Sequence, residues 1–543
     1  MKAKLLGGKG EVFAFVLARA TAGLGILLFA THIQAQVQQP PPAPRFAIDR
    51  FVVEGNTLLP AQEVQQIVGP FAGPDQDFGD VQRALEALQD AYLDRGYNAV
   101  RVLIPEQDLV GGDVRIQVIE ARLREVRIEG NEFFDDANVR ASMTSLKIGE
   151  SPNVAVIGRN AQLVQENPSK KVGVRLEAAE QPGEVDAVVR VTDENPQRGV
   201  VFLDNTGTPQ TGNLRLGIGY QHANVLDYDN VFTAQFITSP ENNDDVRIYG
   251  ASYRIPLYRY NSRLDFFAGY SDVDSGVVGG IGGIGGFNVT GAGTVAGVRY
   301  SYILPRAESY EHSVSLGWDY RDYKQGTTLV GGMTQLLPDY KIKPLTLAYT
   351  GRQSTVGQDW YFAASWSLNI PGGTDANETS IAAQRLGANP RYQIWRLGGA
   401  YTRALPEDFL FRTALNFQYS HSALVPAEQF GMGGMNSVRG FYEREVANDK
   451  GGRLSFEGYS PDIGTYVGTD WRTRFLAFYD VAQGRDNGPV RVLENSLGSI
   501  GVGLRMTQGK ALSLRVDFGY VVDGAGTRQD GANRFAFAGV YNF

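Results

Sequence analysis

At 543 residues the chain is too long for one ordinary hydrophobic core, so several domains are expected. Its 65 Gly, 28 Phe and 26 Tyr, against 6 Met and no Cys, lean toward strands and turns and exclude disulfide frameworks and thiolate metal sites. A net charge of -8 argues against nucleic acid as a partner, and past the first 35 positions no uncharged apolar run is long enough for a membrane-spanning helix.

The N-terminus reads as an address. Lys2, Lys4, Lys9 and Arg19 precede a short apolar stretch, Thr21 to Ala30, and Ile33-Gln34-Ala35 offers small-residue cleavage chemistry. A secretory signal peptide is expected over residues 1–35, then a Pro-rich tether over 36–45 that is extended and builds no core.

An internal repeat follows. Phe51-Val52-Val53-Glu54-Gly55-Asn56 and Val126-Arg127-Ile128-Glu129-Gly130-Asn131 share a strand that ends in a Gly-Asn turn. In the first copy Val81, Leu85, Leu88 and Tyr92 line one face of a helix over Phe78 to Arg95, which Gly96 stops. Strands at Ala99 to Ile104 and Val114 to Glu120 complete it. The second copy has a helix near Val154 to Gln165 and strands at Val172 to Ala178 and Val185 to Val191. Each is an α+β unit of βααββ order. The first copy carries Tyr92-Leu93-Asp94-Arg95-Gly96-Tyr97, Ile104-Pro105-Glu106-Gln107-Asp108 and Val114-Arg115-Ile116-Gln117-Val118-Ile119-Glu120. That succession resembles the tandem POTRA (polypeptide-transport-associated) domains of two-partner secretion transporters, with expected boundaries at 46–121 and 122–195.

From residue 196 to 543 the period becomes two. Leu214, Leu216, Ile218 and Tyr220 alternate with Arg215, Gly217 and Gly219; Leu264, Phe266, Ala268 and Tyr270 alternate with Arg263, Asp265, Phe267 and Gly269. Leu514, Val516, Phe518 and Tyr520 alternate with Ser513, Arg515, Asp517 and Gly519. A charge facing lipid at mid-bilayer costs about 2–4 kcal/mol, so in a membrane barrel the charged set faces inward. A soluble sandwich also alternates, with its apolar face inward, and periodicity alone does not separate the two. Connection lengths help. Tight links at Leu226 to Asn230, Leu257 to Asn261, Leu304 to Ser309, Leu405 to Asp408 and Thr507 to Lys510 alternate with longer ones at 271–288, 324–338, 372–389, 420–451 and 484–494. This is the pattern of an up-and-down, all-β transmembrane barrel of sixteen antiparallel strands. The aromatic C-terminal strand, Phe535 to Phe543, looks like the closing strand of bacterial outer-membrane proteins.

Catalysis finds little support. His32, His222, His312 and His421 are scattered, and no His-Glu-x-x-His, Gly-x-Ser-x-Gly or Cys nucleophile occurs. The run Gly279 to Gly286 lacks the Gly-Lys-Ser/Thr ending of a phosphate cradle and reads as a surface loop. No catalytic residue, metal or other cofactor is expected.

The sharpest motif is Asn436-Ser437-Val438-Arg439-Gly440-Phe441, in the long loop 421–451. It resembles the Val-Arg-Gly-Phe/Tyr signature in the sixth extracellular loop of two-partner secretion transporters and their barrel-assembly relatives. The resemblance implies that Val438, Arg439, Gly440 and Phe441 fold back into the barrel, where Arg439 meets an Asp on the lumenal wall. The matching wall segment is Phe478-Tyr479-Asp480, on a strand over Arg472 to Ala482. Phe478 and Asp480 are two apart, so they share a face. The family pattern continues Phe-x-Asp-x-Gly, whereas this chain has Ala482 and only then Gly484, which leaves the strand end open.

The resemblance to the TpsB-type (ShlB/FhaC/HecB) transporters implies export of a large TpsA-like exoprotein, received unfolded through its N-terminal secretion domain by periplasmic POTRA domains. It implies a monomer embedded in outer-membrane lipid, with no nucleic acid. Val172, Val174 and Leu176, on a candidate edge strand, are expected to meet the client. Between Gln36 and Arg45 there is no room for a substantial N-terminal plug helix of the kind the family often has, so a different plug, or none, is expected. A barrel-assembly factor of the same superfamily is the alternative, and a passive porin a more distant one.

Overall fold

Two α+β units and a closed sheet make up the computed structural model, which describes residues 44–543 apart from 109–110, 210, 244–245, 274–291, 325–326, 331–332, 337, 469 and 489–493. The expected signal peptide, nearly all of the tether with its plug question, and the Gly-rich run lie outside the described residues. In the first unit Asp113–Glu120 is the central strand. It pairs in parallel with Arg50–Glu54 and antiparallel with Val100–Leu103. The helix Phe78–Asp94 is started by a reciprocal cap, Asp80 N donating to Asp77 Oδ1 at 3.1 Å and Asp77 N to Asp80 Oδ2 at 2.9 Å. Its Val81, Leu88 and Tyr92 bury against Phe51, Val114 and Ile116. A second helix, Ala61–Val68, completes the helical layer; it is too short for its period to stand out in the sequence. The second unit repeats the plan around Glu184–Asp193, with Arg122–Glu129 parallel on one side and Lys170–Ala178 antiparallel on the other. Its helices are Asp136–Ser142 and Val154–Val164.

The sheet that follows is a closed barrel of sixteen antiparallel strands, from Gln197–Asp204 to Asn533–Asn542, whose eighth strand is split at Lys343 into Tyr340–Ile342 and Pro344–Thr355. The first and last strands pair from Val200↔Asn542 to Asp204↔Ala538. The terminal Phe543 secures that seam, its N–H and C=O exchanging hydrogen bonds with Gly199 at 3.0 and 2.8 Å. Alternation decides the faces. Leu216, Ile218, Tyr220, Phe266, Tyr270, Phe518 and Tyr520 are exposed on the outside, while Arg215 and Asp517 are buried within. A soluble sandwich has the reverse arrangement, and a ring of this size leaves an aqueous interior. Because the first strand leaves the second unit, all the tight links lie on the rim beside that unit, and the strand ends that flank the long ones lie on the far rim.

The second unit is bolted to the near rim. Lys170 Nζ, fully buried, donates to Asp229 Oδ2 at 2.6 Å, in the turn after the second barrel strand, and to Asn138 Oδ1 at 2.7 Å. Tyr258 of the next near-rim turn donates its hydroxyl to the same Asp229 oxygen at 2.6 Å. Asn167 Nδ2 reaches Ala223 O at 2.7 Å, and Glu166 pairs with Arg263 of the fifth barrel strand. Burial pushes the Lys170 ammonium below the usual lysine value, against the opposing pull of Asp229. A buried cation with one carboxylate depends on that carboxylate. Asp229→Ala should weaken the joint by about 3–5 kcal/mol. The measurement is amide hydrogen exchange across Asp136–Ser142 and the turn after Arg215–Val225, which should quicken in the single variant and return toward the parent rate in Lys170→Met/Asp229→Leu.

Candidate functional site

The strand Trp471–Arg485 turns Tyr479 outward and Phe478 and Asp480 into the barrel, where Asp480 is 0% and Phe478 5% exposed. Opposite them comes the loop between Leu410–Tyr419 and Lys450–Tyr459, which folds inward instead of extending into solvent. Its anchors are apolar: Val438 and Phe441 bury against Met432, Ala482, Leu497 and Val521. Between those anchors Arg439 is brought to the wall.

Arg439 is held on every side. Its Nε and Nη2 donate to the two Asp480 oxygens, both at 2.7 Å, and its backbone N–H donates to Asp480 Oδ2 at 3.1 Å. Nη1 donates to Glu457 Oε1 at 2.7 Å and Nη2 to Ser455 Oγ at 3.2 Å. The guanidinium carbon lies 3.5 Å from the centre of the Phe478 ring, so the same wall segment supplies an anion and an aromatic face. A planar fork is needed for this combination, and a lysine ammonium offers no equivalent. With only 3% of the Arg439 side chain exposed, the attraction is poorly screened by salt.

The carboxylates are braced in turn. Ser455 Oγ donates to Asp480 at 2.6 Å, while Arg412 and the Tyr459 hydroxyl donate to the second Glu457 oxygen at 2.9 and 2.8 Å. Asp517, 3.9 Å from the Arg439 guanidinium, is paired to Arg505 at 2.8 Å and to Arg515 at 2.6 Å. Acids and guanidiniums thus alternate along the wall, which is how a buried ionic cluster avoids an uncompensated charge.

Gly440 has φ +96, which disfavours any side chain, and lies against the backbone of Gly519. A Cβ at Gly519 would stand 2.7 Å from Gly440 N and 2.9 Å from Arg439 C, so the two glycines let loop and wall approach backbone to backbone. Arg528 Nε and Arg534 Nη1 donate to the carbonyls of Gly440 and Phe441 at 3.1 and 2.9 Å.

The expected Val438, Arg439, Gly440, Phe441, Phe478 and Asp480 are thus brought together in one cluster. Glu457, Ser455, Gly519 and the two arginines after it were missed. Glu457 had a signal: Phe456 faces out, so its neighbour must face in. The strand carrying Asp480 continues to Arg485, beyond the expected Ala482. Ala482 occupies the place of the family's glycine and packs in the apolar cluster around Phe441, so the departure shortens nothing. Val172, Val174 and Leu176 lie elsewhere, on the edge strand of the second unit. Val172 is buried in that unit's core, and Val174 and Leu176 pack partly buried against it, so these side chains face inward. Gly519→Ala should push the motif off the wall while strand pairing survives; limited proteolysis within 430–445 is expected to quicken, and an unchanged rate would show the close approach to be dispensable.

Comparison with known proteins adds the family. Residues 183–506 match the model for the haemolysin secretion/activation protein ShlB/FhaC/HecB, and residues 46–121 match the POTRA domain of ShlB type. The outer membrane transporter CdiB of Escherichia coli O6:K15:H31 (strain 536 / UPEC) is 24% identical over 444 residues, spanning 78% of this chain and 71% of its own. The heme/hemopexin transporter protein HuxB of Haemophilus influenzae is 20% identical over 482 residues, 86% of this chain and 82% of its own. The solved structure of CdiB from Escherichia coli shares the fold with a TM-score of 0.74 at 19% identity, covering 94% of this chain and 93% of that one. The chain belongs to the ShlB/FhaC/HecB family of haemolysin secretion/activation proteins, outer-membrane transporters of two-partner secretion with POTRA domains in the periplasm.

Proposed function

We propose that the chain carries one partner exoprotein outward, and that the contact between Arg439 and Asp480 governs the passage by fixing the inward-folded loop. The observation that carries this reading is the placement of an ionic cluster of at least five charged groups inside the barrel, centred on a loop residue. A loop that served only the outer surface has no use for such a centre, because desolvating each charge is costly unless a partner meets it. Inside a transport conduit the same cluster has a use. It sets a resting position that a passing chain displaces, and it restores that position afterwards.

The periplasmic units are the receiving end. Lys170–Ala178 stands at the edge of its sheet, and an extended N-terminal secretion domain can add backbone hydrogen bonds there. Since Val172, Val174 and Leu176 turn into the core, the recognition offered is that of the backbone edge, not of their side chains. No catalytic step is required of the chain. Folding of the client outside biases its movement outward, and one chain closes its own barrel, so a monomer suffices.

Arg439→Ala and Asp480→Ala are each expected to reduce secretion of the partner at least about tenfold while the barrel still inserts, since losing one member of a buried pair costs about 3–5 kcal/mol of loop placement. Secretion of the exoprotein into the medium, normalised to heat-modifiable barrel in the outer membrane, is the assay. Normal secretion by both variants would dispose of the loop's role. Separately, residues 46–195 tethered to beads should retain the exoprotein's N-terminal fragment, and passage of that fragment without retention would remove the receiving role.

A further inference from the structure

The inward-folded loop meets the wall at a second place, far from Arg439. Near its start, in the turn Pro426–Glu428, the Glu428 carboxylate is almost wholly buried. It accepts from Arg321 Nη1 at 2.6 Å and from Arg396 Nη2 at 2.8 Å, and the Glu428 carbonyl accepts from Gln418 Nε2 at 2.8 Å. Leu424 and Val425 just before it bury against Tyr323, Ile342, Ile381 and Tyr392. This is a built anchor, made of one acid between two guanidiniums and sealed by an apolar patch.

Its position in the ring matters. Arg321 lies on Tyr310–Tyr323, the seventh barrel strand, and Arg396 on Gln393–Ala404, the tenth. Further along the loop, Asp480, the partner of Arg439, lies on the thirteenth strand. Arg515 of the fifteenth donates to Asn436 Oδ1 at 2.7 Å and to Met435 O at 2.5 Å. In a closed ring of sixteen, the seventh and fifteenth strands stand half a turn apart. A loop attached to both is therefore held over half the ring, with Phe430–Met432 packed near the twelfth and thirteenth strands between its feet.

We infer that this loop is a strut held between walls half a turn apart, and that Glu428 is its second foot, a positioning residue that keeps the strut in place together with Arg439. The inference rests on the reading of the barrel as an export conduit and extends it. Two feet on opposite walls block the lumen more firmly than one. Release of either foot leaves the loop tethered by the other, free to swing aside and able to return. An ordinary solvated loop glutamate is not buried between two guanidiniums. Those arginines are also not orphaned without it, because Arg321 keeps Asp319 at 2.7 Å and Arg396 keeps Gln418 at 2.9 Å. Glu428→Gln therefore frees the foot while Arg321 keeps its acid and Arg396, whose side chain is 38% exposed, keeps water and a hydrogen bond.

The chain has no Cys, so Ala427→Cys gives a single reporter thiol beside the foot. In the full-length protein in outer-membrane vesicles, adding Glu428→Gln should speed reaction of that thiol with a membrane-impermeant maleimide by at least about tenfold. In planar bilayers the same change should raise the frequency of large-conductance openings, with heat-modifiability of the barrel unchanged. Should Glu428→Gln fail to insert, Arg396→Gln carries both measurements. Unchanged labelling and conductance in a folded variant overturn the second foot. Failure of both variants to insert also overturns it, because Glu428 would then be a folding requirement and not a releasable contact. Neither readout involves the client, so a loss of export in Arg439→Ala, or its absence, is judged apart from the strut.

Discussion

A buried guanidinium cannot be left alone, and that constraint organises the interior of this barrel. Arg439 reaches the wall only because Asp480 and Glu457 wait there, and these acids are tolerable only because Arg439, Arg412 and Ser455 answer them. The loop is therefore not free to choose among inward conformations: moving it strands charges on both sides. The outer surface obeys the complementary rule. Tyr479, Phe475, Ile500 and Val502 face out from the same strands and would lose their apolar surroundings in water. One alternation along each strand satisfies both solvents, so the site and the membrane face are fixed by a single register. A slip by one residue would put Asp480 into lipid and Tyr479 against Arg439.

Much of this was legible because the period of two is so regular. Leu216, Ile218 and Tyr220 declare their strand, and the contrast between short and long links declares closure and orientation. The loop motif was legible by resemblance, and Asp480 by its spacing from Phe478. What stayed hidden depends on distance in the chain. Glu457 lies on a strand whose inward face was readable, yet nothing local says that it shares Arg439 with Asp480. Gly519 reads as one more small residue in a strand until the close approach of Gly440 is seen. In the first periplasmic unit, Ala61–Val68 escaped because two turns of helix hold too few apolar positions to show a period. The edge-strand residues Val172, Val174 and Leu176 were placed on the right strand, but pattern reading favours apolar side chains, and those belong to the core.

The joint at the near rim and the loop inside the barrel use the same chemistry in separate sectors. Lys170, Asn138, Glu166 and Asn167 hold the second to fifth barrel strands and the turns between them, through Ala223, Asp229, Tyr258 and Arg263. The loop's contacts stand on the seventh strand and on the tenth to sixteenth. Among these buried or half-buried contacts no strand serves both devices. The ion pair between Glu194 and Lys510, which reaches the turn after the fourteenth strand, is exposed and adds little.

That division has a mechanical consequence. A barrel wall is stiff along each hydrogen-bonded strand, so an element fixed to one arc holds that arc in shape while another arc is rearranged. The periplasmic unit can keep its seat on the second to fifth strands while the loop lets go of the opposite arc, and the charges it leaves behind still have wall partners: Arg321 with Asp319, Glu457 with Arg412, Asp517 with Arg505 and Arg515. Asp480, fully buried, loses its guanidinium and keeps only Ser455, whereas Arg396, which loses Glu428, is half-exposed and keeps Gln418. Of the groups the loop would leave in the wall, Asp480 is therefore the most deeply buried to lose its counter-charge.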